Sequence, residues 1–321
     1  MTAENAVNPT RDAAAGRTCP VDYYYDPNEF DRTPDITAEI LYVVGGLYGN
    51  AAALDTVERL AQAERAPVTI AFNGDFHWFD AEPAWFAAVE AGVSRHTAIR
   101  GNVETEIARS DDVGAGCGCA YPESVSNETV ARSNAILREL RPVAGDAGAR
   151  LAALPMHRVA QVGRLRVGIV HGDAVALAGW RFDAASLDRP ATRCWLADIQ
   201  EHARVDVFAS THTCAAALRE FALPGGELTV INNGSAGMAN FSSSTFGLLS
   251  RIATGPSPHV PVYGIVHDDV FIDAIPVHFD MADFLGRFLP RWPPGSAAHT
   301  SYFRRIMEGP DHTVAVAQPQ R

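Results

Sequence analysis

Five short segments carry the side chains best suited to chemistry: Gly45-Gly46-Leu47-Tyr48-Gly49-Asn50, Gly74-Asp75, Gly101-Asn102-Val103-Glu104, His171-Gly172-Asp173 and Thr211-His212-Thr213-Cys214. Four of them directly follow an apolar run that reads as a β-strand. Asp75, Asn102, His171 and His212 offer a carboxylate, an amide oxygen and two imidazoles, a donor set that suits Zn²⁺, Mn²⁺ or Fe²⁺. Tens of residues separate them in the chain, so only the fold can bring them together. In open α/β sheets, ligands bind beyond the carboxyl ends of strands, which is where all four residues fall. The chemistry open to such a set is that of a bound divalent ion.

The elements that must position these residues begin at Glu39. Ile40–Val44 is a β-branched apolar run, and Asn50 stands where a helix N-cap belongs. Leu54, Val57, Leu60 and Ala61 then follow at helical spacing. Val68–Phe72 reads as a strand, Pro83–Ala91 as a helix with proline in its first turn, and His96–Arg100 as a third strand. This β-α-β-α-β series predicts a largely parallel sheet. Residues 110–126 read as a long glycine-rich loop, followed by a helix from Glu128 to Leu140. Strands are expected at Arg164–Val170, Val205–Ala209 and Leu228–Ile231. A closing hairpin is expected at Val262–Val266 and Val270–Ile275.

The order and context of the five segments resemble the calcineurin-like metallophosphoesterase superfamily, in its bacterial phosphodiesterase-like branch. The family pattern is Asp-x-His, Gly-Asp, Gly-Asn-His-Asp/Glu, a lone His, and Gly-His-x-His. The resemblance covers about residues 38–276 and includes Asn233-Gly234-Ser235. It implies a four-layer α/β/β/α sandwich of two mixed sheets flanked by helices. The domain would span 37–276, after a flexible N-terminal extension over 1–36 and before a C-terminal extension over 277–321 packed on it. It also implies that Asp75, Asn102, His171 and His212 hold one divalent ion, with Asp75, Asn102 and His171 as the catalytic core of metal-assisted hydrolysis. The second ion of the family needs the first-motif Asp and His, the shared Asp and the final His. Here those positions are Gly46, Tyr48, Asp75 and Cys214.

One ion is therefore expected rather than two. Val103 also replaces a family histidine often assigned as the acid for the leaving group. A rebuilt second position would draw on Tyr48, Cys214, Cys117 and Cys119, whose thiolates favour Zn²⁺ or Fe²⁺. The alternative is a buried small Cys214 and a flexible Cys117-Gly118-Cys119 turn. Glu104 is expected to contact a ligand from behind or to act as a capping carboxylate. His77 is expected either to face the cleft as a proton donor or phosphate contact, or to sit on the surface.

Composition narrows the alternatives. The chain has 321 residues and a net charge of −12, which disfavours nonspecific binding to nucleic acid or anionic membrane. It has no lysine, so a lysine Schiff base and a Walker-type phosphate loop are excluded. Five irregularly spaced cysteines imply no disulfide framework. Residues 1–17 lack the apolar stretch of a secretory signal, so a reduced cytoplasmic compartment is the expectation. The expected function is hydrolysis of a small phosphomonoester or phosphodiester, with substrate choice in loops 105–126 and 174–195. A non-catalytic binding protein on a degenerate phosphoesterase scaffold is the alternative. Thiol redox chemistry at Cys117 and Cys119 is a third reading, without the Cys-x-x-Cys spacing that would support it. Nothing in the sequence sets an oligomeric state.

Overall fold

A computed structural model describes residues 15–110 and 114–319. Its strands, in chain order, are β1 (Ile36–Ala38), β2 (Ile40–Val44), β3 (Val68–Asn73), β4 (Thr97–Ile99), β5 (His157–Val162), β6 (Leu165–Val170), β7 (Val207–Ser210), β8 (Ala217–Leu223), β9 (Gly226–Asn232), β10 (Gly247–Ala253), β11 (Tyr263–His267) and β12 (Val270–Val277). They form two six-stranded sheets, ordered β1-β5-β6-β7-β9-β8 and β11-β12-β10-β2-β3-β4.

Each sheet is mixed. β2, β3 and β4 run parallel, with Tyr42 opposite Ile70 and Ala71 opposite Thr97, as the β-α-β-α-β reading requires. In the other sheet β6, β7 and β9 run parallel, as do β1 and β5. The sheets pack face to face through Leu41, Val43 and Ile252 on one side and Val167, Val207 and Ile231 on the other. Helices cover both outer faces. Asn50 caps helix Ala51–Gln62 by accepting from the Ala53 amide at 3.0 Å. Helix Pro190–Ala203 buries Leu196 and Ile199 against Phe208 and Val230. The result is the expected α/β/β/α sandwich. Among the described residues, no helix is long and apolar enough to cross a membrane.

β5, β8 and β10 lie beyond the strands read from the sequence, and the N-terminal lead departs from its reading. β10 has no alternation because it is buried at every position between β2 and β12. Its Arg251 is neutralised in the interior by Glu64 at 2.6 Å and Asp273 at 3.3 Å. The expected flexible lead over 1–36 is, from residue 15 onward, a docked segment. Tyr23 is fully buried and donates to Glu106 at 2.6 Å, Tyr25 donates to the Asp173 carbonyl at 2.5 Å, and β1 pairs with β5. Only Tyr24 of the three tyrosines is exposed. Residues 1–14 of the expected lead lie outside the described residues, as do 111–113 of the long loop.

Beyond β12, helices Met281–Arg291 and Ala297–Glu308 pack back over the domain. Phe288 meets the Phe79 ring edge-on at 5.1 Å, and the Trp292 indole donates to the Phe79 carbonyl at 2.7 Å. The C-terminal segment thus rests on the loop that follows β3.

Candidate metal centre

The loop after β3 turns through Gly74 and Asp75, both with positive φ. Gly74 cannot be replaced cheaply: a Cβ there would lie 2.6 Å from the Gly101 backbone and from His171 Nδ1. The tight turn brings Asp75 against the start of helix Asn102–Ala108, where its Oδ1 accepts from the Val103 amide at 3.2 Å. Glu104, fully buried, binds the same loop from behind. It accepts from the amides of Gly101 and Asp75, each at 2.8 Å, and of Phe76 at 3.1 Å and His77 at 3.3 Å. Glu104 is thus both the capping carboxylate and the clamp behind Asp75. Burial and the neighbouring Asp75 push its carboxyl up, and the amides oppose them.

From the other sheet, β6 delivers His171 and β7 delivers His212. The His171 carbonyl accepts from the Thr211 and His212 amides, which ties the two strand ends together. His171 Nδ1 lies 2.8 Å from the Asn73 carbonyl, so it carries the proton and Nε2 is a lone-pair atom. His212 Nε2 lies 3.3 Å from the Cys119 carbonyl, which likewise frees Nδ1. Burial lowers the His171 pKa to about 4 and drives that of His212 well below its usual value, so both rings are neutral near pH 7. Asn102 Nδ2 donates to the Cys117 carbonyl at 2.7 Å and to Cys119 Sγ at 3.2 Å, which turns Oδ1 inward.

Four acceptor atoms therefore face one another. His171 Nε2 lies 3.0 Å from Asn102 Oδ1, 3.1 Å from His212 Nδ1 and 3.4 Å from Asp75 Oδ1. With these tautomers no proton lies between the two imidazoles, and converging lone pairs repel unless a cation is shared among them. Burial raises the Asp75 carboxyl to about 7, a cost that a bound cation would offset. The donor set fits a divalent ion of the Zn²⁺, Mn²⁺ or Fe²⁺ kind. Among the described residues, Asp75, His171 and His212 are the one group of three or more His, Cys, Asp or Glu side chains whose ligand atoms lie within 4.8 Å of one another.

The other half of the cavity is different. Gly46 has φ +63°, and a Cβ on it would meet the Tyr48 ring at 2.9 Å. Tyr48 and Cys214 also have left-handed backbones, at φ 55° and 56°. The Tyr48 hydroxyl and Cys214 Sγ contact each other at 2.7 Å. Burial pushes both groups above their usual pKa values, so both remain protonated. Cys119 Sγ lies 2.9 Å from Cys117 Sγ and faces the Asn102 amide, not Cys214. The thiols thus do not gather into a second centre.

His77 takes neither expected position. It is fully buried away from the cleft, between Asp80 at 2.6 Å and Glu90 at 3.0 Å, and stacked on Phe86. Burial alone would lower its pKa, but Asp80 and Glu90 outweigh that and hold it at about 9. Two residues of spacing in a non-strand loop send Asp75 to the cavity and His77 to the core.

A cavity of about 210 Å³ opens onto Asp75, Asn102 and His212. Tyr121 and Trp180 form one wall, their rings 6.0 Å apart, and Trp180 meets His212 edge-on at 5.4 Å. They come from the two loops expected to set substrate choice. Tyr302 and Arg305 come from helix Ala297–Glu308, and Trp78 from the loop after β3. Sequence reading missed these three; for Tyr302 and Arg305 an aromatic, arginine-bearing stretch through Ile306 was the available signal. A larger cleft of about 580 Å³ near Asp188 and Arg219 is lined by no histidine or cysteine.

No protein-family model and no curated protein matches the chain. Solved structures do. A hypothetical protein from Pyrococcus horikoshii OT3 superposes with a TM-score of 0.59 at 16% identity, over 86% of this chain and 100% of that one. A metallophosphoesterase from Sphaerobacter thermophilus superposes with a TM-score of 0.51 at 14% identity, over 84% and 100%. The chain shares the α/β/β/α sandwich fold of that metallophosphoesterase, the architecture that the five segments implied. At these identities the likeness carries the fold, and the chemistry rests on the residues.

Proposed function

We propose that the chain is a hydrolase of small phosphoesters that works with one divalent cation, held by Asp75, Asn102, His171 and His212. The observation that carries this reading is the convergence of four acceptor atoms with no proton between the imidazoles. Bound there, a divalent cation supplies Lewis acidity toward a phosphoryl oxygen and toward water. The protein's own residues fix the rest. Glu104 and the Asn73 carbonyl hold Asp75 and His171 in place. Trp180 and Tyr121 wall a cavity of about 210 Å³, a size that suits a small ester. Val103 brings no proton to the leaving group, and both histidines of the centre are held neutral. Esters whose leaving group departs as a stable anion, such as aryl phosphates, suit this cavity best.

The test is elemental analysis of the dialysed protein, followed by aryl phosphate hydrolysis with added Mn²⁺. About one equivalent of metal per chain and metal-dependent turnover are expected. A second reading, a non-catalytic binding protein, draws on the Tyr48–Cys214 contact that fills the position of the family's second ion. It predicts the same metal content with no turnover.

A further inference from the structure

Arg305 carries the one permanent positive charge among the described residues that line the cavity. It projects from helix Ala297–Glu308, which begins at the Ser296 cap and ends at Gly309. Two of its nitrogens are used to fix it: Nε donates to the Ala239 carbonyl at 3.2 Å and Nη2 to the Cys214 carbonyl at 2.7 Å. Both acceptors are neutral, and no carboxylate pairs with Arg305 among the described residues. Its neighbour Arg304 behaves as a surface arginine, exposed and paired with Glu308 at 3.3 Å. A half-buried guanidinium anchored by carbonyls, with its charge left over, is arranged to meet an anion.

Its anchor identifies which anion. Cys214 stands where the family's second ion would take its last ligand, and Tyr48 closes that position from the other side. Asp75 is the one carboxylate lining the cavity among the described residues. A single divalent ion beside one carboxylate leaves little net charge to bind a phosphoryl dianion, and a guanidinium restores it. Building on the phosphoesterase reading, we propose that Arg305 binds the phosphoryl group of the substrate. It would supply from the C-terminal helix the positive charge that the missing second cation provides elsewhere in the fold.

Inorganic phosphate is the probe. Calorimetric titration of the full chain, metal-free and loaded with Mn²⁺, compares the parent with Arg305→Lys, Arg305→Gln and Arg304→Gln. Phosphate should bind about tenfold more weakly to Arg305→Gln, with Arg305→Lys between it and the parent, because a charge remains but the planar fork is lost. Arg304→Gln should stay within about twofold of the parent. Metal content should be the same in all four proteins. Should Arg305→Gln fail to fold, the ordering of parent and Arg305→Lys decides the matter. Equal phosphate affinity in the parent and the folded Arg305 variants overturns the proposal, as does a parent that binds no phosphate in either form. Loss of the metal from the parent would instead count against the phosphoesterase reading, while the metal-free titrations still judge Arg305.

Discussion

The two halves of the cavity share a backbone but not a chemistry. On one side Asp75, Asn102, His171 and His212 point four acceptors at a common place. On the other, Gly46, Tyr48 and Cys214 keep the left-handed turns of loops that project ligands, and put a glycine and a phenol–thiol contact there. The turns are held by hydrogen bonds that do not involve the side chains in question. The Gly46 amide donates to the Gly74 carbonyl, and Ser235 Oγ donates to the Gly46 carbonyl at 3.0 Å. Asn233 Nδ2 donates to the Gly45 carbonyl, also at 3.0 Å. A loop scaffold of this kind tolerates a change of ligand without a change of fold, so fold likeness alone cannot count metals.

The comparison is most easily broken on the donor side. His171→Ala removes the donor nearest all three others, and should cut metal-dependent turnover by more than about a hundredfold. Metal content after dialysis should fall with it, while the far-ultraviolet circular dichroism spectrum stays that of a folded α/β chain. Turnover that persists when His171 and His212 are both alanine would show the two halves to be equally irrelevant to catalysis.

His77 sharpens the contrast by showing that a histidine beside the centre can be purely structural. It stays charged at pH 7 because its pKa is about 9. His77→Leu would leave Asp80 buried without its cation and Glu90 with Arg150 alone, and should cost about 3–5 kcal/mol in urea unfolding. Metal content per folded molecule should not change.

On the rebuilt side, Gly46→Asp alone should destabilise by about 1–3 kcal/mol, because the new side chain meets the Tyr48 ring and the left-handed backbone disfavours it. Combined with Tyr48→His and Cys214→His, the aspartate gains both room and partners. Elemental analysis of the triple variant should then find about two equivalents of metal instead of one. A triple variant that still takes one would mean that Arg305 excludes the second ion by its charge.

The smallest effect is expected at the contact that fills the rebuilt side. Tyr48→Phe loses the hydroxyl–thiol contact and should lower stability by about 0.5–1.5 kcal/mol, with metal content unchanged. A drop in bound metal would show the phenol to be a ligand after all.

Much of this molecule was legible in the sequence because its signals are local. Ile40–Val44 with Asn50 behind it, Val68–Phe72 and Pro83–Ala91 form the elements their patterns call for. Chain order along parallel strands then places Asp75, Asn102, His171 and His212 at strand ends. β10 was not legible, because a strand covered on both faces has no alternation to read. The docking of residues 15–36 was hidden as well, since it depends on Tyr23 and Tyr25 reaching Glu106 and the Asp173 carbonyl far along the chain.

The sequence by itself determined the fold class and which four residues, Asp75, Asn102, His171 and His212, stand at the strand ends, since both follow from residue type and strand order. It also determined that Gly46 offers no ligand. Only the tertiary structure decided which way each side chain faces. His77 and Asp75 share a loop, yet one enters the core and the other the cavity, because the turn at Gly74 has no fixed period. The thiols were candidates by position, and their directions turned out to be set by Tyr48 and Asn102. Arg305 lies 230 residues beyond Asp75 in numbering and reaches the cavity only because its helix folds back over the loop after β3. Such a contact is a property of packing between distant segments, which no local pattern encodes.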